Sequence, residues 1–337
     1  MSTAGLSDIL FWVALGVYAV ATALYFLSLR ERPGRETAVV AGGAKAGRAA
    51  FGLTVAGAVA HLGMIVFRAV AAGRVPWGSM YEYSTVLVFL SVAFVIGVVH
   101  RRPAVRAVEP LAMLIAVVTM VLARGLYAPA GPLQPALNSW WLRIHVIAAI
   151  TASSIFTIGF VFTVLYLIKD RAERRSLFGG STVGAAYVGG TRSGGAVVED
   201  PPAGDGFPVD YLDFDADASE GAAATGRGMI ARLPKSETLD LWSYRTIMVA
   251  FPIWTFAVIA GAIWAAKAWS RYWGWDPKES WAFITWVIYA VYLHARATSG
   301  WRGRRAALVG VGGFVSLWIT YYVVNLWIVG LHSYAGT

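Results

Sequence analysis

The sequence contains no cysteine. That excludes a disulfide, a cysteine-ligated metal and a thiol relay within the chain, and it leaves any thiol chemistry to a partner. Charge is scarce as well: Asp, Glu, Lys and Arg make up 14% of the 337 residues, with 19 acidic against 28 basic side chains. A formal net charge of +9 would suggest nucleic acid in a soluble protein. Here the cations sit at the ends of apolar runs, where they set membrane topology, so no nucleic-acid partner is expected. The first apolar stretch has no basic segment before it and no small-residue cleavage site after it. It reads as a first span rather than a cleavable signal.

Apolar residues are abundant, at 58%, and they come in runs of roughly 20, the length that crosses a bilayer as a helix. Periodicity and length predict an all-α, polytopic membrane bundle of about eight transmembrane helices, near 8–29, 50–71, 82–99, 108–125, 142–168, 246–268, 277–297 and 306–330. Three connections carry clustered cations: Arg30, Arg32, Arg35, Lys45 and Arg48; Arg101, Arg102 and Arg106; Arg296, Arg302, Arg304 and Arg305. By the positive-inside rule these are cytoplasmic, which makes both termini extracytoplasmic and the chain a multi-pass protein of the cell membrane. The remaining inner connection, 169–245, is rich in Gly, Ala, Asp and Pro and carries only acidic charges from Glu199 to Glu220. It is expected to be disordered. The chain thus divides into a five-helix region, 1–168, the loop 169–245, and a three-helix region, 246–337.

Within the last region, "RYWGWDPKESWAFITW" (271–286) combines a helix start with an unusual density of tryptophan. Asp276 as N-cap, Pro277 at the first helical position and Glu279 reaching back form a capping box, which explains the start of the helix. It does not explain why Trp264, Trp269, Trp273, Trp275, Trp281 and Trp286, six of the fifteen tryptophans, crowd this one stretch. An aromatic belt at the membrane surface would use one or two; this many favours a stacking surface for a flat ligand.

The histidines narrow the ligand. His145 and His332 fall at the outer ends of the fifth and eighth spans, level with the tryptophan segment. Two neutral imidazoles on opposite sides of a planar macrocycle can hold its iron axially, whereas a lone interfacial histidine is an ordinary polar anchor. His294 lies deeper, near the inner leaflet, and His61 lies in the middle of the second span. Ionisable groups there are functional candidates, with a helix-to-helix hydrogen bond as the plain alternative. Arg68 reads as an end-of-span anchor, and Arg271, Lys278 and Lys267 are cations that could meet a ligand's carboxylates or simply be solvated.

At these residues the chain resembles the CcsA/ResC family of cytochrome c biogenesis proteins (system II), within the heme-handling superfamily marked by a tryptophan-rich WWD segment. "WGWDPKESWAFITWVIYAVYLHAR" is similar to the family signature running into its seventh helix, and "GRVPWGSMYEYST" and the eight-span plan also fit. The resemblance implies that Trp264, Trp269, Trp273, Trp275, Asp276 and Trp281 belong to a segment holding heme b on the extracytoplasmic face. It implies His145 and His332 as axial ligands, Arg271 or Lys278 as propionate partners, and His294 in a deeper heme site shared with a ResB-type partner. It further implies a subunit of a cytochrome c synthase that presents heme to the CxxCH motif of an apocytochrome c. The chain departs from the family pattern at Lys267 and Ser270, where an acidic residue and a glycine are usual. Two other readings stand beside this one: a secondary transporter or permease whose substrate path uses His61 and His294, and a b-type electron-transfer cytochrome with paired histidines.

Overall fold

A computed structural model describes residues 2–30, 37–132, 137–179 and 228–332. Among these residues every regular element is helical. Helices α1 (Thr3–Arg30) and α2 (Thr37–Ala72) pack together along their length, and α3 (Met80–Phe94) runs on through a π turn, Val95–Val99. A short 3-10 turn, Pro103–Val108, leads into α4 (Glu109–Gly125). Then come α5 (Trp140–Gly179), α6 (Ser236–Trp269), α7 (Pro277–Thr298) and α8 (Arg304–Trp318), the last continuing through a π turn, Ile319–Val323, into the single turn α9 (Val324–Trp327).

These correspond to the eight expected spans, except that α2 starts at Thr37 rather than near residue 50, which puts Lys45 and Arg48 in a helix instead of a loop, and with two further differences. Among the described residues, seven stretches are long and apolar enough to cross a membrane, and α7 is not one of them. Its 22 residues would reach about 33 Å, enough for a bilayer core, but Trp281, Trp286, Tyr289 and Tyr292 take the place of aliphatic residues and lower its hydropathy. The second difference is at the inner connection: α5 extends to Gly179 and α6 begins at Ser236, so both ends of the stretch expected as loop are helical. Ion pairs between residues four apart, Lys169 with Glu173 and Asp170 with Arg174, support the extension of α5.

The bundle has two halves joined by α5. Phe11, Tyr18, Met64, Tyr81 and Met120 bring α1–α4 into one core, and Phe156, Ile247, Trp254, Tyr289 and Phe314 bring α5–α8 into another. In the most apolar stretch of α5, 72% of residues are buried, against 28% in α2. A helix that apolar on all sides and also covered on most of them is the centre of the bundle rather than a lipid-facing wall. At the end of the bundle near Trp140 a further, smaller cluster of Leu137, Leu142 and Trp264 closes the junction of α5 and α6.

Candidate functional site

Where α3, α5, α6, α7 and α8 meet, a cleft encloses about 1310 Å³ counted out to its mouth. His145 and His332 both line it, with Trp264, Trp273 and Lys278. The structure therefore brings together, in one cleft, two imidazoles separated by 187 residues of chain (332 − 145).

Each imidazole is oriented by a bond on its inner nitrogen. His145 Nδ1 lies 2.7 Å from the Ala257 carbonyl of α6. A carbonyl only accepts, so Nδ1 carries the proton and Nε2 is the basic nitrogen of the neutral ring. The same logic holds for His332, whose Nδ1 is 2.7 Å from Asp276 Oδ2. The tryptophans Trp269 and Trp264 stand against that ring at centroid distances of 4.9 and 5.7 Å.

Asp276 does two jobs at once. As N-cap it completes the expected capping box with Glu279, whose carboxylate accepts from the Asp276 and Gly274 amides. Its other function is to hold the returning chain: Oδ1 accepts from the Leu331 amide at 2.7 Å while Oδ2 takes His332. Burial pushes the Asp276 carboxyl upward, but the bonds from His332 and Leu331 outweigh it and leave the group below its ordinary range, ionised and accepting. Burial also dominates at His332 and holds its imidazole below the usual value, in the neutral form that binds a metal, although Asp276 pulls the other way.

Two glycines make room for this arrangement. A Cβ on Gly261 would stand 2.8 Å from His145 Nδ1, and one on Gly330 would stand 2.6 Å from Asp276 Oδ1. Ser270, at the C-cap of α6, has φ 56, the left-handed conformation that glycine adopts without strain.

Lys278 reaches Asn325 Oδ1 at 2.9 Å and, among the described residues, makes no ion pair. A sequestered ammonium beside two imidazoles and facing a cleft suits a carboxylate. Arg271 is placed differently: it is exposed, its guanidinium lies over Gly274, and it does not line the cleft. Lys267 is also exposed. Trp275 is 68% exposed at φ 57, its ring perpendicular to that of Trp273. Trp281 is partly buried in α7 outside the cleft wall.

The deeper histidines lie elsewhere. His294 is exposed on α7, and His61 is fully buried, with Tyr18 Oη at 3.5 Å and Nε2 lacking a partner. Neither lines the cleft. Arg68 is no surface anchor: it is 3% exposed and paired with Glu82. The cleft also takes in Trp77 and Tyr83, which the sequence placed only within the family-like stretch GRVPWGSMYEYST, and Tyr321 and Asn325, which it did not single out. Tyr321 sits on the π turn, and such turns recur at functional sites, but they leave no mark in periodicity.

The fit to a metalated macrocycle can be judged from the donors. Among the described residues no group of three His, Asp or Glu side chains could hold a bare metal ion. Two imidazoles alone suit an iron whose equatorial positions are already filled by a ring, and the aromatic walls and the lysine suit the ring's faces and acidic substituents. This is a multi-pass membrane protein with a bis-histidine, tryptophan-walled cleft.

Comparison with known proteins shows the family. The family described as Cytochrome C assembly protein matches residues 77–332. Cytochrome c biogenesis protein CcsA of Nostoc punctiforme is 37% identical over 310 residues, covering 82% of this chain and 86% of that one. The protein of the same name from Trichormus variabilis is 36% identical over 299 residues, covering 79% and 82%. The chain belongs to the cytochrome c assembly protein family, in its CcsA group. Among solved structures, cytochrome c heme lyase CcmF superposes with a TM-score of 0.61 at 15% identity, over 96% of this chain and 47% of that one. The likeness is one of fold, and this chain spans about half the length of that neighbour.

Proposed function

We propose that the protein acts in cytochrome c maturation by binding heme b in the outer cleft and presenting it, on the extracytoplasmic face of the cell membrane, to an apocytochrome c. The observation that carries this reading is the convergence of His145 and His332, each with Nδ1 engaged, on one tryptophan-walled cleft. Heme here is cargo. His145 and His332 are the axial ligands, and Asp276 orients His332 and raises its basicity through the second hydrogen bond typical of ligating histidines. Lys278 takes a propionate.

Covalent attachment adds a thiol S–H of the CxxCH motif across a heme vinyl group, forming one S–C and one C–H bond with no net oxidation. With no cysteine in the chain, both thiols come from the apocytochrome. This protein's part is to fix the ring and its iron while the thiols approach, an effect of position rather than of acid or base. A ResB-type membrane protein is the expected partner in the synthase. His294, exposed on α7 outside the outer cleft, faces outward in the way a site shared with that partner requires.

Co-expression with a ResB-type partner and a CxxCH apocytochrome tests the reading. Attachment that depends on both His145 and His332 supports it. Attachment unaffected by removing both would refute it.

A further inference from the structure

The turn before α3 repeats, in miniature, the turn before α7. In the first, Trp77-Gly78 precedes the N-cap Ser79, and the Gly78 amide donates to Glu82 Oε2 at 2.8 Å. In the second, Trp273-Gly274 precedes the N-cap Asp276 by one further residue, and the Gly274 amide donates to Glu279 Oε2 at 2.8 Å. In both, a glutamate in the first helical turn reaches back over the N-cap to the glycine that follows a tryptophan. Both tryptophans line the same cleft.

The first turn is anchored more heavily. Glu82 is 0% exposed and accepts from Arg68 Nε at 3.0 Å and from Arg74 Nη1 at 2.8 Å as well as from Gly78. Arg68 also donates to the Ala128 carbonyl, and Arg74 Nε donates to that of Gly131. One carboxylate therefore fastens the end of α2, the Trp77 turn and the segment after α4 into a single unit. Burying Arg68 and Glu82 together, with Arg74 only partly exposed, adds little stability by itself, because the desolvation cost rivals the attraction. Such a network is better accounted for by what it holds in place.

We propose that Trp77 is a second tryptophan face for the heme bound in this cleft, with Glu82 as the positioning residue that holds it there. The inference rests on the heme reading above, and it adds a contact outside the segment 264–286. Tryptophan faces then come from both halves of the bundle: Trp77 from the turn into α3, and Trp264 and Trp273 from α6 and the turn into α7. Glu82 touches no part of the ligand. It acts through the Gly78 amide and the arginines.

The test uses full-length protein purified with heme. Trp77→Ala should keep the bis-histidine spectrum yet lose heme roughly 2–10-fold faster, the worth of one aromatic contact, with Trp77→Phe in between. Because Glu82→Gln strands the buried Arg68 guanidinium and can fail to fold, the partly exposed Arg74 supplies a milder variant. Arg74→Gln should speed the entry of added imidazole to the iron. In a double variant, Trp77→Ala should add little to it, since both changes act on one turn. A heme-independent readout comes from Met80→Cys, a buried cleft position and then the chain's sole thiol: Arg74→Gln should raise its labelling rate. If Trp77→Ala and Arg74→Gln leave heme retention and imidazole entry at wild-type values while the wild type carries heme, the inference is overturned and the heme reading stands. A wild-type protein that binds no heme would overturn both.

Discussion

His332 donates through Nδ1 to Asp276 Oδ2 at 2.7 Å, so the residue that starts α7 also fixes the imidazole that follows α9. The tryptophan-rich turn and the chain's last described residue are thereby one structural unit. Cutting that link should have separable effects. Asp276→Ala removes the cap, about 1 kcal/mol of helix stability, and the orientation of His332, which should loosen heme roughly 10–100-fold. Asp276→Asn keeps a capping oxygen and should restore most of the stability but only part of the retention. Equal losses in both quantities for the two variants would show that Asp276 matters as a cap alone.

The cleft glycines give a sharper steric test. Gly261→Ala places a methyl 2.8 Å from His145 Nδ1, which must push the ring off the Ala257 carbonyl. We expect normal accumulation with an altered heme spectrum. Gly312→Ala, in α8 with open space around the new methyl, should leave the spectrum unchanged. An unaltered spectrum in Gly261→Ala would mean that His145 is free to re-seat.

The ionisation of His332 sets a pH dependence. Burial holds its imidazole below the ordinary 6.5, so between 6.5 and that lower value the unfolded chain binds a proton that the folded chain refuses. Stability must then fall as pH drops through that window. The unfolding temperature of heme-free wild type should decline more steeply below pH 6.5 than that of His332→Gln. Lys278→Met, which removes one charge opposing protonation, should shrink the difference. Parallel curves for wild type and His332→Gln would contradict the assignment.

Much of this architecture is legible in the sequence, because membrane helices declare themselves by length and apolarity. All eight elements are present, although α2, α5 and α6 run ten or more residues past their expected bounds, and the Asp276–Glu279 capping box forms as its spacing predicts. What is not legible is anything that depends on the chain returning. Asp276 reads as a cap because capping is local, whereas its bond to His332 joins residues 56 apart. Arg68 reads as an anchor since Glu82 lies across a turn, on another helix. Arg271 and Lys278 are equivalent cations in sequence, and only the packing of α7 against Asn325 sends one into the cleft and leaves the other outside. The resemblance to a heme-handling family ties His145 to His332, but only the fold supplies their inner-nitrogen partners.

Topology can be read without background, because the chain has no cysteine of its own. With both termini extracytoplasmic, Ala335→Cys in intact cells should react with a membrane-impermeant thiol reagent, while Arg302→Cys should not. The reverse pattern would put the cleft on the cytoplasmic side.

The absorption spectrum of the purified protein is the most direct test of the central claim that His145 and His332 together bind heme iron. Wild type should show a bis-histidine heme spectrum. His145→Gly and His332→Gly should each lose it, and added imidazole should restore it in both, while His100→Gly, whose ring bonds to Glu109 at the other end of α3, should match wild type. Wild-type heme content and spectrum in both outer variants, at normal expression, would contradict the account and leave the tryptophan segment as a membrane-surface anchor.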